Sequence, residues 1–177
     1  MALTVVYAAG TGHVVGALAL TGAEAPADAA ALVGRALPLR VPLGGGRTAV
    51  LPLGAGELAV AAVDEEPAAL ADPLAFGVGL TAEGAPRPAL LRLAEWSGDG
   101  VALAADGLTV AVRVAAARPA RVVALVADDR DTRVLAGELP AGQDRVKLPV
   151  ALDAGGAYGV LVLVEGWAGR LERAEAT

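Results

Sequence analysis

The chain contains no cysteine, isoleucine or asparagine, and only one residue each of serine, lysine and histidine. The absence of cysteine excludes a thiol nucleophile, a thiolate metal ligand and a disulfide bond. A single histidine also excludes a histidine-rich metal site. Most catalytic mechanisms depend on these side chains, so we expect a protein that is not an enzyme and that holds no cofactor and no metal.

Basic residues are few and scattered along the chain. There are 14 lysine and arginine residues against 20 aspartate and glutamate residues, which gives a formal net charge of −6. Nucleic-acid binding depends on clustered basic side chains that face phosphates. We therefore expect no nucleic-acid partner. The strong preference for arginine over lysine is typical of a GC-rich bacterial genome.

The first 23 residues carry no charged side chain. A secretory signal needs a positively charged start, which is missing here. A membrane-spanning helix needs about 20 consecutive apolar residues, and the segment Gly10-Thr11-Gly12-His13 interrupts them. We therefore expect no export signal, no membrane contact and a cytoplasmic location.

Apolar residues recur mostly with a period of two, which indicates β-strands that are buried on one face. One short helix is predicted at 26–32, because Pro26 suits a first turn, Asp28 suits the positive end of the helix dipole and Gly34 suits a C-terminal cap. A helical turn is expected at 68–71. In this half of the chain, strands are predicted at 3–9, 13–20, 36–43, 47–53, 57–63 and 74–80.

The segment 81–88 (TAEGAPRP) contains two prolines and no apolar periodicity, which favours a linker. We predict an all-β protein of two small domains, 1–82 with at most one short helix and 86–177 as a β-sandwich. A spacing of 8–12 residues between strands is typical of a sandwich. In the second domain, strands are predicted at 89–95, 101–104 leading into 108–115, 120–127, 132–139, 144–150, 158–165 and 169–173.

One local motif refines the prediction for the second domain. The segment 152–158 (LDAGGAY) has the form L-x-x-G-x-x-Y and precedes an apolar strand. It resembles the tyrosine corner of fibronectin type III and immunoglobulin-like sandwiches, in which the tyrosine begins the sixth strand and its hydroxyl bonds back to the backbone. Two features depart from the family: an early buried tryptophan is missing, and Ala154 replaces the proline of the corner. The resemblance implies a role in interaction or spacing, because such sandwiches seldom carry active sites.

Several residues could carry chemistry, but structural explanations fit them better. His13 follows a hairpin turn, and Ser97 lacks the G-x-S-x-G context of a nucleophile. The glycines at 44–46 precede a strand, whereas a phosphate loop precedes a helix. The acidic segment 128–131 could gather calcium through carboxylate oxygens, but it includes an arginine and lacks EF-hand spacing. We expect a solvated turn there.

Trp96 and Trp167 could stack against a sugar ring. In the predicted sandwich they follow the first and the sixth strand, so their loops emerge at opposite ends. We therefore expect no shared platform, and each tryptophan is expected to cap the hydrophobic core.

Strands 121–127 and 158–165 are apolar on both faces. Because an isolated sandwich should present a polar face to water, we expect the outer face to be covered by the N-terminal domain, a second copy or another protein. Replacing Leu161 or Leu163 with aspartate is expected to leave the isolated fold nearly intact and to abolish assembly. The residues predicted at this interface are Leu161, Leu163, Val123, Leu125 and Trp167.

Together these features favour a non-enzymatic structural or protein-interaction subunit of a larger bacterial assembly, in homo- or hetero-oligomeric contact with other protein subunits. A phage-tail-like or contractile injection particle is a setting that combines cytoplasmic assembly with small sandwich subunits. The alternative is a binding module whose N-terminal β domain holds a small apolar ligand or a glycan. That alternative predicts a cavity or groove lined by leucine and valine.

Overall fold

A computed structural model describes residues 3–20, 24–80, 87–96 and 99–177 of the chain. Strands make up 56% of the structure and helices 10%, which confirms the all-β class. Every strand pair with a defined register is antiparallel. None of the helices in the described ranges has the length and apolar character needed to cross a membrane.

The strands lie close to the positions predicted from alternation. The two short α-helices of the described ranges are α1 (Ala29–Val33) and α2 (Pro67–Ala71), the second at the expected helical turn. Single turns of 3-10 helix lie at Ala55–Glu57 and Pro73–Ala75. The strands, in chain order, are β1 (Leu3–Ala8), β2 (Val14–Ala19), β3 (Ala36–Gly44), β4 (Arg47–Gly54), β5 (Leu58–Val63), β6 (Phe76–Leu80), β7 (Pro88–Arg92), β8 (Val101–Ala104), β9 (Gly107–Ala111), β10 (Ala120–Ala127), β11 (Thr132–Leu139), β12 (Arg145–Pro149), β13 (Ala157–Val164) and β14 (Arg170–Glu175).

The chain folds into two compact units, and the second unit is discontinuous in sequence. Unit 1 comprises residues 1–37 and 53–94, and unit 2 comprises residues 38–52 and 95–177. We call residues 38–52, which are most of the β3–β4 pair, the strap hairpin. Most of the predicted linker, residues 81–86, lies outside the described residues.

Unit 1 contains the sheet β2-β1-β5 and the separate pair β6-β7. Helix α1 begins later than predicted, because Asp28 is its N-cap and accepts a hydrogen bond from the Ala30 amide at 3.1 Å. Gly34 ends the helix with φ of +70°, a value that glycine adopts without strain. The core of this unit is formed by Leu3, Val5, Val14, Ala61, Val63, Ala69 and Phe76.

Strand β7 differs from its predicted role. We expected residues 89–95 to be the first strand of the C-terminal sandwich, but β7 pairs with β6 in a register that sets Phe76 opposite Arg92 and Leu80 opposite Pro88. Alternation identifies a strand from its own residues, but it carries no information about the strand's partner. The first strand of unit 2 that follows β7 is therefore β8.

Besides the strap hairpin, unit 2 contains two sheets, β11-β10-β13-β14 and β12-β9-β8. Alternate residues of both sheets point into one shared core. On β10 these are Ala120, Val122, Ala124 and Val126, and on β13 they are Tyr158, Val160, Val162 and Val164. Leu108 and Val110 of β9 and Leu148 of β12 contribute from the other sheet. The intervening residues of β10 and β13 therefore lie on the outer face of the four-stranded sheet.

Candidate interaction surface

The L-x-x-G-x-x-Y segment forms a corner at the start of β13. Tyr158 is buried in the core, and its hydroxyl accepts a hydrogen bond from the Asp153 amide at 3.0 Å. A Cβ at Gly156 would lie 2.8 Å from Cε2 of the tyrosine ring, so only glycine fits beneath it. Leu152 packs against the same core. This is the backbone bond that the resemblance implied, and it fixes where the chain enters β13.

The outer face of the four-stranded sheet is apolar and buried. On β13 it presents Leu161 and Leu163, which are 0% and 1% exposed. Their partners in the β10 register are Leu125 and Val123. Leu125 is 2% exposed and Val123 is half-buried. The chain therefore covers this face itself.

The strap hairpin lies over this face at Gly159. A Cβ built at Gly159 would lie 2.8 Å from the Cβ of Ala49 and 3.0 Å from the Cβ of Val41. The Thr132 hydroxyl on β11 donates a hydrogen bond to the Val50 carbonyl at 2.9 Å. The absent side chain of Gly159 thus provides the space in which the strap hairpin sits.

Local sequence explains why residues 38–52 form a hairpin. Gly45 and Gly46 have φ of +61° and +77°, as a two-residue type I′ turn requires. The glycine-rich loop is therefore a hairpin turn, as expected. On the two strands, the buried residues Val41, Leu43, Ala49 and Leu51 alternate with exposed ones, which include Pro38, Pro42 and Pro52.

These contacts show where the predicted interface residues lie. Leu125, Leu161 and Leu163 have almost no exposed surface in this structure, so they offer a partner nothing to bind without a rearrangement. Val123 is half-buried beside them, and Trp167 is half-buried against the sandwich core. Apolarity on both faces of a strand was the signal that located the covered face.

The segments that carry the two tryptophans meet in the folded chain, whereas they were predicted to lie at opposite ends of the sandwich. The Trp96 Nε1 group donates a hydrogen bond to the carbonyl of Ala168, the residue after Trp167. The Arg170 guanidinium carbon lies 5.5 Å from the centroid of the Trp96 ring. The prediction was wrong because it counted 89–95 as the first sandwich strand. Both tryptophans pack against the core, as expected.

The acidic segment 128–131 is a hydrogen-bonded turn. Asp128 Oδ1 accepts bonds from the amides of Arg130 and Asp131, both at 2.7 Å. Partial burial raises the pKa of Asp128, but these two amides and the neighbouring Arg133 together hold that pKa below its usual value. Within the described residues, no group of three or more histidine, cysteine or acidic side chains converges as a metal site.

Of the remaining polar candidates, His13 has a structural role in unit 1. His13 is fully buried in unit 1, and its Nδ1 lies 2.9 Å from the Thr11 hydroxyl. Its backbone carbonyl accepts a bond from the Ala8 amide at 2.8 Å, which closes the turn between β1 and β2. Ser97 lies outside the described residues.

A surface groove lies in unit 1, on the face of the β2-β1-β5 sheet opposite its core. Its volume is about 450 Å³. Thr4 contributes a mostly buried side chain from β1, and Glu24 contributes a carboxylate. The apolar part of the lining is Leu20, Ala25, Pro26, Ala27, Val60 and Ala62.

Comparison with known proteins identifies no relative of the chain. No family model, curated protein or solved structure matches the chain. The packing and chemistry of its own residues are therefore the grounds for a functional proposal.

Proposed function

We propose that the protein is a non-enzymatic structural or protein-interaction subunit of a larger bacterial assembly, built on a fibronectin-like sandwich. The observation that supports this proposal is the corner at residues 152–158 of unit 2, which resembles a tyrosine corner. Counting from β8, Tyr158 lies on the sixth strand, and its hydroxyl is bonded to the Asp153 amide. The division into a four-stranded and a three-stranded sheet is compatible with that sandwich class. Sandwiches of this class mainly serve interaction or spacing.

The partners in this proposal are other protein subunits, and the assembly takes place in the cytoplasm. Exposed apolar side chains on unit 2 support a protein partner: Val134 is 65% exposed and Val114 is 67% exposed. A phage-tail-like or contractile injection particle remains the setting that we propose.

The test is affinity purification of the tagged full-length chain from its native host, followed by mass spectrometry and electron microscopy of the eluate. We expect a fixed set of proteins in constant proportion, or particles that contain the chain. A monomer recovered without companions at native expression would overturn the proposal.

The groove of unit 1 favours a second candidate function, the binding of a small apolar ligand. Its volume of about 450 Å³ lies in the range of small-molecule sites, and most of its lining is apolar. Nuclear magnetic resonance of the isotope-labelled chain with a panel of short alcohols and monosaccharides tests this candidate. We expect saturable shifts at Thr4 and Val60, which Ala62→Phe should abolish by filling the groove. If no compound produces such shifts at millimolar concentration, the candidate fails.

A further inference from the structure

The groove of unit 1 is a crevice between the outer face of a sheet and the segment that leads into α1. Strands β1 and β5 pair with Thr4 opposite Ala62. Side chains alternate between the two faces of a sheet, so Thr4, Val60 and Ala62 share the face that points away from the core of this unit. Residues 24–27 form the other wall of the groove.

Thr4 contributes a hydroxyl group to the floor of this groove. The residue is 4% exposed, and it lines the groove. Buried polar side chains are usually hydrogen-bonded, because a desolvated hydroxyl without a partner lowers stability. In the described part of the chain, no residue forms a hydrogen bond with the Thr4 side chain. A ligand in the groove therefore meets a hydroxyl group that has both a donor and an acceptor to offer.

The charge of the groove lining is negative. Glu24 carries this charge, and the described lining residues include no arginine, lysine or histidine. The whole chain has a formal net charge of −6, which attracts cations and repels anions. Apart from Thr4 and Glu24, the lining side chains are apolar. The groove thus combines one carboxylate, one hydroxyl group and an apolar wall.

We propose that the groove binds a small primary amine with a short alkyl chain, in its protonated form. An ammonium group carries a positive charge and three donors, so it pairs with the Glu24 carboxylate and donates to the Thr4 hydroxyl oxygen. The alkyl chain packs on Leu20 and Val60. A second ammonium group would lie against apolar side chains without a partner, which favours a monoamine over a diamine. A carboxylic acid of the same length would meet a like charge at Glu24.

This inference rests on the second candidate function, ligand binding by unit 1, and names the chemical class of the ligand. The test is nuclear magnetic resonance of the isotope-labelled full-length chain with three compounds of equal chain length: n-butylamine, n-butanol and butyrate. We expect saturable shifts at the Val60 amide, with a dissociation constant for butylamine about two- to five-fold lower than for butanol, the range that a solvent-accessible ion pair provides. Butyrate should bind most weakly.

Two variants separate the contributions of the carboxylate and the hydroxyl group. Glu24→Gln removes the charge and keeps the shape, so it should lower the affinity for butylamine to that for butanol and leave butanol binding unchanged. Thr4→Val removes the hydroxyl group and should weaken the binding of both compounds. The matched control is Glu138→Gln, because Glu138 is exposed on unit 2 and lies outside the groove. Unchanged thermal unfolding of the variants verifies that the substitutions preserve the fold.

The ion pair allows a second readout, because salt screens charges that solvent reaches. Sodium chloride at about 0.5 M should remove the preference for butylamine and leave butanol binding unchanged. Equal affinities for the two compounds in the wild type, or a preference for butylamine that Glu24→Gln leaves intact, overturns the assignment of an amine. The candidate function survives either result, since butanol still binds and Ala62→Phe still abolishes that binding. If none of the three compounds shifts the Val60 amide at millimolar concentration, the amine assignment and the candidate function both fail.

Discussion

Tyr158 anchors the corner through its hydroxyl group, and the residue as a whole is buried. The hydroxyl accepts a hydrogen bond from the Asp153 amide, and the ring occupies the space that a side chain at residue 156 would need. Tyr158→Phe keeps the ring but removes the acceptor, so the amide loses its partner. We expect a loss of about 1–2 kcal/mol in the free energy of unfolding, measured by urea denaturation.

The other tyrosine provides the matched control for this substitution. Tyr7 is half-buried in unit 1, and Tyr7→Phe should change stability by less than about 0.5 kcal/mol. Equal effects of the two substitutions would contradict a specific role for the corner hydrogen bond.

Leu161 illustrates how burial changes the expected effect of a substitution. From sequence alone, an aspartate at this position was expected to disrupt assembly and leave the fold intact. The side chain is fully buried in the chain, and an unpaired carboxylate there has no compensating partner. We now expect Leu161→Asp to destabilise the fold by about 4 kcal/mol or more, with loss of the cooperative unfolding transition. Val114→Asp, at an exposed site, should unfold like the wild type.

The strap hairpin is the element that the sequence predicted least completely. Alternation and the glycine turn predicted its two strands, and apolarity on both faces of 158–165 predicted that something covers the sheet. Neither signal connects the two, because a period of two describes a strand's own faces and says nothing about distant residues. The pairing of β7 with β6 escaped prediction for the same reason. The resemblance at residues 152–158 implied the hydrogen bond between the Tyr158 hydroxyl and the backbone, because both partners lie within seven consecutive residues.

The contact between the strap hairpin and β13 can be measured by a double-mutant cycle. Gly159→Ala places a methyl group 2.8 Å from the Cβ of Ala49, and we expect a cost of about 1–3 kcal/mol. Ala49→Gly removes the obstructing methyl group, so the cost of Gly159→Ala should fall in that background, although Val41 remains 3.0 Å away.

The control for this cycle is a glycine with open space at the position of its missing side chain. Gly16 on β2 has no atom within 4 Å of a built Cβ, so Gly16→Ala should have little effect or stabilise slightly. If the costs of Gly159→Ala and Ala49→Gly simply add, the strap hairpin does not pack on Gly159 in solution.

At the scale of the whole molecule, unit 2 is formed by two segments that are separate in the sequence. Residues 38–52 join it before residues 53–94 complete unit 1. The cut at 81–88 favoured by composition therefore separates the sandwich from a segment that packs on it. A fragment that begins after this cut has the strands of both sandwich sheets but lacks the strap hairpin.

This connectivity predicts how fragments behave. The fragment 95–177 should expose the apolar outer face, including Leu161 and Leu163, and should bind a hydrophobic dye and aggregate. The same fragment preceded by residues 38–52 and a flexible linker should recover the stability that the contacts at Gly159 provide, seen as a higher unfolding midpoint and lower dye binding.

The decisive comparison is a third fragment in which the added hairpin carries Val41→Asp and Leu51→Asp, both at positions buried in the full chain. It has the same length and linker, so it should behave like 95–177 alone. Equal stability of all three fragments would mean that the sandwich needs no cover, and that the apolar outer face is available to a partner.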